Sequence, residues 1–378
     1  AIAYPKNLLL QSCFPRPSLS EASLTSIKDW DAFIQRLEHN FTLPLFYHQL
    51  SQHDLLHRVP DFVKEKIHQA RERTAMKNLK LIQVFSEVTG RFLQKGIEVM
   101  PLKGITYLYR IYEDPSRRPM LDIDLLVREE DIPRIHQVME ELGARQRTGM
   151  HSDFLDSLMH HLPPMTYKGA MIEFHTRFFR KTSSFSLSAE SAWRESQEAE
   201  LFNQKVRILK PECHLVYITL HAWNHMVKGR FKLIWLADVI RYLQKTEIDW
   251  KHVLPLLQNE ADRRAFYGMM GLAERLEQVT LPREIQNNLK EEWTDEAGEA
   301  LENHLEDVPF DSTRAVFRSI EKLKGKERLR YMRDIVFPSR AFLRKKYKGP
   351  FVLLYPYHAV SKVLEGIGYL FRRMRECV

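Results

Sequence analysis

The spacing of apolar residues changes twice along this chain. From residue 19 to residue 95, apolar positions recur every three or four residues, as they do on one side of an amphipathic helix. Residues 96–185 carry short apolar runs bounded by Gly, Pro and Ser, which predict strands and turns. From residue 186 onward helical spacing returns, and no further strand is predicted. The predicted parts are an N-terminal helical segment (1–95), an α/β core (96–185), a helical domain (186–339) and a basic C-terminal tail (340–378).

Strands and helices alternate within the α/β core. The predicted elements are a strand (GIEVMPL, 96–102), a helix (ITYLYRIYE, 105–113), a strand (LDIDLLV, 121–127), a helix (EEDIPRIHQVMEELG, 129–143) and a hairpin (LPPMTYKGAMIEFHTRF, 162–178). The hairpin is expected to turn at Lys168 and Gly169. The sequence thus predicts a small α/β unit between two helical regions.

Two carboxylates interrupt the predicted strand LDIDLLV. A lone buried carboxylate is costly unless its charge is compensated, and two neighbouring ones also repel each other. Residues i and i+2 of a strand point to the same face, about 6.5 to 7 Å apart at Cα, so Asp122 and Asp124 converge on one site. This geometry suits one or two hard cations such as Mg²⁺, together with substrate phosphates. The plainer interpretation is a pair of capping acids at a strand end.

A third carboxylate is expected from a neighbouring strand. Glu173, in MIEFHTRF, supplies it, and His175 projects from the same face of that strand. His175 fits either an orienting role beside the metal or a polar position in the core. Together with Asp122 and Asp124, Glu173 predicts an acidic metal site at the sheet.

A phosphate-binding turn is predicted upstream of the carboxylates. Lys103 and Gly104 lie where a strand ends and a helix begins. Glycine allows a phosphate to approach the backbone, the start of a helix favours anions, and Lys103 adds a positive charge. The stretch lacks the GxxxxGKS spacing of a P-loop, so it is informative only in combination with Asp122 and Asp124.

Three histidines fall on one face of a predicted helix: His214, His221 and His225. The HxxxH pair lacks the glutamate of a zinc-protease motif. Asp238, on the next predicted helix, could pair with one of these histidines. We interpret the group as a polar cluster that lines a cleft opposite Asp122 and helps to bind a second substrate or a phosphate, rather than as a metal site.

The net charge of +8 is concentrated near the C-terminus. Residues 340–378 carry +7, so residues 1–339 are nearly neutral, which disfavours a long nucleic-acid track. We therefore expect a small molecule or a protein, rather than a long nucleic acid, as the partner of this protein. The tail fits a packed helix with a solvated basic face, and it also fits contact with anionic membrane lipid or RNA.

Cysteine usage and hydropathy favour the cytoplasm. The three cysteines are widely spaced and show no metal-ligand pattern, so they support neither a disulfide framework nor a zinc site. No apolar run approaches the ~18 residues of a membrane helix. The stretch AIAYPKN lacks the apolar region of a signal peptide. We expect a soluble, cytoplasmic protein.

An ordered series of stretches resembles a known family. The chain is similar to the uncharacterised nucleotidyltransferases of bacteria, a branch of the DNA polymerase beta-like nucleotidyltransferase superfamily, over roughly residues 28–340. The stretches that carry the resemblance are LKGITYLYRIYEDPSRRPMLDIDLLV, IEFHTRF and LHAWNHMVKGRFKLIWLADVIRYLQKTEIDW.

This resemblance implies both a fold and a chemistry. The implied fold class is α+β, with a small mixed-sheet nucleotidyltransferase core flanked by an N-terminal helical segment and a C-terminal helical domain. The implied substrate is an NTP, and the implied cofactor is Mg²⁺ or Mn²⁺. Asp122 and Asp124 would be metal ligands, and Glu173 would be the third carboxylate, as a ligand or a general base.

One signature of the wider superfamily is replaced. Its usual Gly-Ser at the first turn reads Gly104-Ile105 here. Lys103, Thr106 and Arg118 are the residues expected to bind phosphates in place of the serine. Two classes of function stay open: an enzyme that transfers a nucleoside monophosphate to a hydroxyl or phosphate of an acceptor, and a non-catalytic nucleotide-binding or regulatory protein.

Overall fold

The structure is a computed structural model that describes residues 6–16, 18–146, 153–306, 312–347 and 351–376. Residues 348–350 and 377–378 of the predicted tail lie outside the described residues. No helix in the described ranges is both long enough and apolar enough to cross a bilayer.

Helices precede the first strand, as predicted. They are α1 (Lys6–Gln11), α2 (Glu21–Thr25), α3 (Trp30–His39), α4 (Leu43–Gln52) and α5 (Asp61–Gln94). The long α5 buries residues three or four apart along its whole length, from Val63 and Ile67 to Val88 and Phe92. This apolar stripe packs against the sheet, where the Phe92 ring lies 5.9 Å from the ring of Phe174.

A five-stranded mixed sheet forms the centre of the α/β core. Its strands are β1 (Met100–Leu102), β2 (Asp122–Leu126), β3 (Arg145–Gln146), β4 (Met165–Tyr167) and β5 (Ala170–His175). Their order across the sheet is β1-β2-β5-β4-β3. β2 and β5 are parallel, and the other neighbours are antiparallel. The predicted α+β class with a small mixed sheet is therefore confirmed.

The connections of the sheet follow the predicted turns. β1 leads into α6 (Gly104–Tyr107), which continues as one π-helical turn, Leu108–Tyr112, and α7 (Ile132–Glu141) follows β2. The β4–β5 hairpin turns at Lys168 and Gly169, which both have positive φ angles, of 48° and 76°. A two-residue turn with both residues in this region matches the twist of the flanking strands.

The prediction that no strand follows residue 186 is wrong. After α8 (Asp153–Ser157) and α9 (Ala189–Arg194), the chain forms a second hairpin, β6 (Ser196–Leu201) and β7 (Gln204–Leu209). It turns at Phe202 and Asn203, again with positive φ. Six of its twelve strand residues are Glu, Gln, Lys or Arg, so the sequence pattern resembles a polar loop more than two strands. Nonlocal contact supports them, since the Arg207 N–H donates to the carbonyl of Val99 at 3.1 Å.

Helices form the rest of the chain. They are α10 (Pro211–Met226), α11 (Leu233–Lys245), α12 (Trp250–Val253), α13 (Glu260–Arg275), α14 (Arg283–Gln286), α15 (Glu291–Leu305), α16 (Ser312–Lys322), α17 (Gly325–Val336), α18 (Arg340–Lys346) and α19 (Phe351–Glu376). One hydrophobic core runs from α1 to α15 and includes the sheet. A second, small core joins α8 to α16 and α17 through Leu158, Leu323 and Tyr331. The predicted division into four parts stays a prediction.

Candidate active site

The two parallel strands bring the predicted carboxylates together. Asp124 on β2 lies directly opposite Glu173 on β5. Because side chains alternate along a strand, Asp122 and His175 point to the same face as this pair. The other face is apolar and fully buried, and it is formed by Ile123, Leu125, Ile172 and Phe174. The apolar face fixes the strands on the core, so the polar face is held rigidly.

Asp124 has two partners on one oxygen. Its Oδ1 lies 3.0 Å from Lys103 Nζ and 2.7 Å from His175 Nε2. The side chains of Asp124 and His175 are 5% and 0% exposed. Lys103 is therefore the positive charge that the buried carboxylate requires. Glu173 Oε2 lies 3.7 Å from the same His175 nitrogen.

Three side chains offer ligand atoms close enough to share a cation. One ligand atom each from Asp124, Glu173 and His175 lies within 4.8 Å of the other two. Two carboxylates and an imidazole fit a divalent ion such as Mg²⁺ or Mn²⁺, and the imidazole favours the latter. Asp122 lies two residues away on the same face but outside this group, so its predicted role as a ligand stays a prediction.

The electrostatics of the group leave negative charge in excess. Burial raises the pKa of Asp122 to about 7, and the charges of Asp124 and Glu173 act in the same direction. Burial and Asp124 raise the pKa of Glu173 to about 6. Burial opposes ionisation of Asp124 as well, but Lys103 and His175 together hold its pKa well below its usual range. Burial lowers the pKa of His175 to about 4, so its imidazole is neutral near pH 7.

Packing accounts for part of the sequence at the predicted phosphate-binding turn, Lys103 and Gly104. Lys103 has a φ of 49°, a conformation that is uncommon for a residue with a side chain. A Cβ added at Gly104 would lie 2.7 Å from Met120 Sδ and 3.1 Å from Arg118 Nη1. A side chain at position 104 would therefore displace Met120, which packs against this part of the backbone. The helix that follows has four residues, too few for a strong dipole at its start.

Two residues predicted to bind phosphate already have partners in the fold. The Thr106 hydroxyl is buried and donates to the carbonyl of Pro101 at 3.1 Å. Arg118 forms a buried ion pair with Asp238, with Nε–Oδ1 and Nη2–Oδ2 distances of 3.1 and 2.7 Å. Tyr112 donates to the same carboxylate at 2.8 Å. The expectation that Asp238 pairs with a histidine is wrong, because α11 places it beside Arg118.

The three histidines of α10 separate into two environments. The ring of His214 stacks on Tyr107 and packs against Tyr242, with centroid distances of 5.6 and 4.9 Å. It is a core residue. The ring centroids of His221 and His225 lie 4.6 Å apart, and both side chains are half-buried. Burial lowers the pKa of His221, and the charges of Lys103 and Asp124 reach it from the sheet. These two histidines therefore lie within range of the charges of the acidic group.

Sequence reasoning missed two side chains beside the acidic group. The Tyr217 hydroxyl is buried near Lys103, and it forms no hydrogen bond of ordinary geometry with the described residues. Burial raises the pKa of Tyr217. The charge of Lys103 lowers this pKa, whereas the charges of Asp124 and Glu173 raise it. Tyr217 precedes His221 by one helical turn, so the spacing of four could have found it. His160, whose ring lies 5.1 Å from that of His175, comes from a connecting loop with no such signal.

Two arginines without carboxylate partners lie near the histidines. Arg180 follows β5 and Arg230 follows α10; both are exposed, and neither forms an ion pair with a described carboxylate. The surrounding protein atoms lower the pKa of Arg180, although its side chain still reaches solvent, and the charge of Arg230 lowers it further. Both arginines and Lys103 also lower the pKa of His225. Positive charge therefore collects on one side of the acidic group.

A cavity opens at the carboxyl ends of β2 and β5. Its volume is about 830 Å³, which is in the range of small-molecule sites. Arg180 lines it, together with Arg194 and Trp193. Arg128 lies over the Trp193 ring at 4.3 Å, so an aromatic wall and cations meet there.

Comparison with known proteins places the chain in a family. A family described as uncharacterised nucleotidyltransferases matches residues 26–278. No curated protein matches the chain. Among solved structures, ANT(2″)-Ia in complex with adenylyl-2″-tobramycin is 12% identical, with a TM-score of 0.34, over 46% of this chain and 93% of that chain.

Two further solved structures are similar to a comparable extent. A solution structure of the antibiotic-resistance factor ANT(2″)-Ia is 13% identical, with a TM-score of 0.33, over 53% of this chain and 96% of that chain. An antigenic nucleotidyltransferase-like protein from Paracoccidioides brasiliensis is 14% identical, with a TM-score of 0.35, over 55% of this chain and 91% of that chain. The family match covers most of the chain and includes every residue of the candidate active site, so this protein belongs to the family of uncharacterised nucleotidyltransferases.

Proposed function

We propose that this protein is a metal-dependent nucleotidyltransferase that moves a nucleoside monophosphate from an NTP to a hydroxyl or phosphate of an acceptor. One observation carries the proposal: Asp124 and Glu173 face each other on neighbouring parallel strands, and both lie beside a neutral His175. The protein's membership of a nucleotidyltransferase family supports the same chemistry.

Asp124, Glu173 and His175 would hold Mg²⁺ or Mn²⁺, with Asp122 as a further carboxylate at the same face. The bound ion supplies positive charge that offsets the charge on the reacting α-phosphate. The strands hold the backbone of these residues rigidly, and binding of the ion would require Asp124 to share or release its contacts with Lys103 and His175. That rigidity also fixes where the α-phosphate lies relative to Glu173.

The transfer exchanges one P–O bond for another. When the acceptor is a hydroxyl, its oxygen bonds to the α-phosphorus, the bond to the β-phosphate oxygen breaks, and pyrophosphate leaves. Glu173 takes the hydroxyl proton, because it lies at the open edge of the group, with its side chain 18% exposed. Asp124 is less suited to this role, since its Oδ1 is already bonded to Lys103 and His175.

Phosphate binding would fall to the positive side of the site. Lys103, Arg180 and Arg230 are the cations that surround it, and Thr106 and Arg118 are held by other partners. Positioned cations stabilise the charge on a transferring phosphate and on the leaving pyrophosphate. This assignment replaces the serine of the wider superfamily with Lys103 from the first turn and with Arg180 and Arg230 from outside it.

The acceptor would lie on the side of α10. His221, His225 and the Tyr217 hydroxyl would border the acidic group there, since its charges act on His221 and Tyr217. Neutral imidazoles and a phenol can donate or accept hydrogen bonds from a polar acceptor. A small molecule or a protein side chain fits this setting, and the acceptor hydroxyl would approach Glu173 from it.

A second candidate function is nucleotide binding without turnover. It is favoured by Lys103, which occupies the carboxylate that a metal would use, and by Ile105, which stands in place of the serine. Pyrophosphate release, measured with Mg²⁺, each NTP and a panel of hydroxyl acceptors, distinguishes the two. The enzyme should release pyrophosphate only with an acceptor, and Asp124→Asn should abolish the release. Tight NTP binding with no release from any acceptor would favour the second candidate.

A matched pair of variants tests the phosphate side. Arg180→Ala with Arg230→Ala should weaken NTP binding in calorimetry by about tenfold or more, as expected when charged contacts to phosphate are lost. Arg194→Ala, which removes an exposed arginine from the same cavity, should leave NTP binding unchanged. Equal effects of the two changes would show that the cavity, rather than the site beside His225, binds the phosphates.

A further inference from the structure

The last helix exposes an apolar face. Five residues of α19 point to solvent with 45% to 63% of their surface exposed, namely Tyr357, Val360, Val363, Leu364 and Ile367. Their spacing of three, three, one and three residues places them on one side of the helix. We call this set the outer face of α19. The outer face of α19 spans about three helical turns, and its five side chains are all aliphatic or aromatic.

The opposite side of α19 is anchored in the fold. His358 is 1% exposed. Its Nε2–H donates to the carbonyl of Ile335 at 3.1 Å, and its Nδ1 accepts from the Tyr347 hydroxyl at 2.8 Å. A Cβ at Gly366 would lie in ordinary contact with Phe317, at 3.7 Å. The helix is therefore held by one side, and the outer face is exposed because the packing directs it outward.

Exposed apolar residues are concentrated in this part of the chain. Of the fifteen large apolar side chains that are exposed among the described residues, eight lie between residues 329 and 367. Besides the outer face of α19, they include Leu329 and Met332 on α17 and Phe337 after it. Monomeric proteins rarely expose large apolar patches unless the patch binds something.

Positive charge is concentrated in the same part. Residues 324–378 contain fourteen Lys and Arg and four Asp and Glu, for a net charge of +10. The whole chain carries +8, so the remaining residues carry −2. Basic residues lie on both sides of the outer face in sequence, in RKKYK (344–348) and RRMR (372–375).

We propose that the outer face of α19 binds the surface of an anionic lipid bilayer. An apolar face on a helix flanked by cations lies in the plane of the membrane, where its aliphatic side chains reach the acyl chains and the Lys and Arg meet lipid phosphates. The protein would rest on the membrane without crossing it, in keeping with the lack of a membrane-spanning helix in the described ranges.

Two other partners fit the surface less well. A second copy of the chain would bring two regions of +10 against each other, and this repulsion opposes the association. A nucleic acid would need cations or stacking rings on the contacting face, whereas four of the five outer-face residues are aliphatic. An anionic bilayer complements both the charge and the apolar surface. The inference does not depend on the reaction that the protein catalyses.

Vesicle co-sedimentation of the full chain tests this inference. The protein should sediment with phosphatidylcholine vesicles that contain roughly a third phosphatidylglycerol, and not with pure phosphatidylcholine, because the cations need anionic lipid. Raising NaCl to about 0.5 M should release part of the protein by screening. Val360→Glu with Leu364→Glu should reduce the bound fraction by about tenfold or more, because carboxylates on the outer face cannot enter the bilayer boundary.

A matched control uses exposed apolar residues elsewhere. Met76→Glu with Leu79→Glu changes two residues of α5 that are 65% and 55% exposed, and it should leave vesicle binding unchanged. Circular dichroism checks that both double variants keep the native helix content. The inference is overturned if the protein does not bind anionic vesicles, or if the α19 variant binds as well as the α5 variant. A dimer in analytical ultracentrifugation that is lost only in the α19 variant would assign the face to a second copy instead.

Discussion

Two buried cation–carboxylate pairs lie close to each other in this fold, and they differ in how completely each charge is balanced. Arg118 and Asp238 form a two-bond ion pair, with side chains 8% and 2% exposed, and Tyr112 donates to the same carboxylate. Lys103 contacts Asp124 through a single bond. Beside this second pair, Asp122 and Glu173 add carboxylates for which no further cation lies within 4.0 Å among the described residues.

This difference distinguishes an ion pair with a structural role from a group of carboxylates that can bind a ligand. A carboxylate whose bonds are all satisfied, such as Asp238, holds α11 against the loop before β2. A group with more carboxylates than cations is unstable in a buried place unless something else binds there. Protonation of Asp122 and Glu173, whose pKa values are raised, relieves part of this imbalance, and the proposed divalent cation would relieve it with the carboxylates ionised. The predictions below test this contrast, from the largest expected effect to the smallest.

The balanced pair should contribute most to stability. Arg118→Met leaves Asp238 buried without its counter-ion, so the free energy of unfolding should fall by about 3 to 5 kcal/mol. Urea denaturation followed by circular dichroism measures the change. Arg194→Met, at an exposed position, should change the free energy of unfolding by no more than about 0.5 kcal/mol. Similar values for the two variants would mean that the Arg118–Asp238 pair has no structural role.

His214 extends the contrast to a buried group that forms no ion pair with the described residues. Burial lowers its pKa from 6.5 to about 3, so between these pH values the unfolded chain binds a proton that the folded chain does not. Above pH 6.5 the buried His214 therefore does not reduce the free energy of unfolding. As the pH falls from 6.5 towards 3, protonation of the unfolded chain lowers that free energy. By linkage, His214→Phe should reduce the acid destabilisation at pH 5 by about 2 kcal/mol.

Urea denaturation at pH 5 and pH 7.5 tests the His214 prediction. Phe keeps the ring contacts with Tyr107 and Tyr242 and removes the buried, unpartnered Nε2. His53→Gln, at an exposed position, is the control and should keep the pH dependence of the natural chain. An unchanged pH dependence in His214→Phe would show that this imidazole does not resist protonation in the fold.

Lys103 should have opposite effects on metal and on nucleotide. Lys103→Met removes the cation that competes for Asp124, so Mn²⁺ alone should bind about tenfold more tightly, as for the loss of one nearby charge. The NTP should bind more weakly at saturating Mn²⁺, because a phosphate contact is lost. Calorimetry measures both affinities. Lys168→Met, which breaks a surface pair with Glu87, should change neither. Weaker Mn²⁺ binding in Lys103→Met would contradict the proposed competition.

The local part of the site could be predicted from the sequence. Alternation along a strand places Asp122 with Asp124, and Glu173 with His175, and the structure keeps both relations. The turn at Lys168 and Gly169 was predicted on the same local basis and is confirmed. These features depend on residues a few positions apart, so the local pattern contains the necessary information.

The nonlocal part could not be predicted. Arg118 and Asp238 are 120 residues apart, and nothing in the local pattern links them. Met120 packs against Gly104 only after the loop before β2 has folded, so the local sequence does not show this contact. The β6–β7 hairpin was missed because its polar strands are stabilised by the edge of the core rather than by their own composition. Each miss comes from a contact that exists only after folding.

Binding of Mn²⁺ to the full chain, followed by electron paramagnetic resonance of the free ion, tests the central claim most directly. The natural chain should bind Mn²⁺, and Asp124→Asn should weaken that binding by more than about a hundredfold, because a ligand shared with Lys103 and His175 is lost. Glu129→Gln, which changes a carboxylate of the cavity rim, should bind Mn²⁺ like the natural chain. If Asp124→Asn binds Mn²⁺ as tightly as the natural chain does, the acidic group on β2 and β5 is not the metal site.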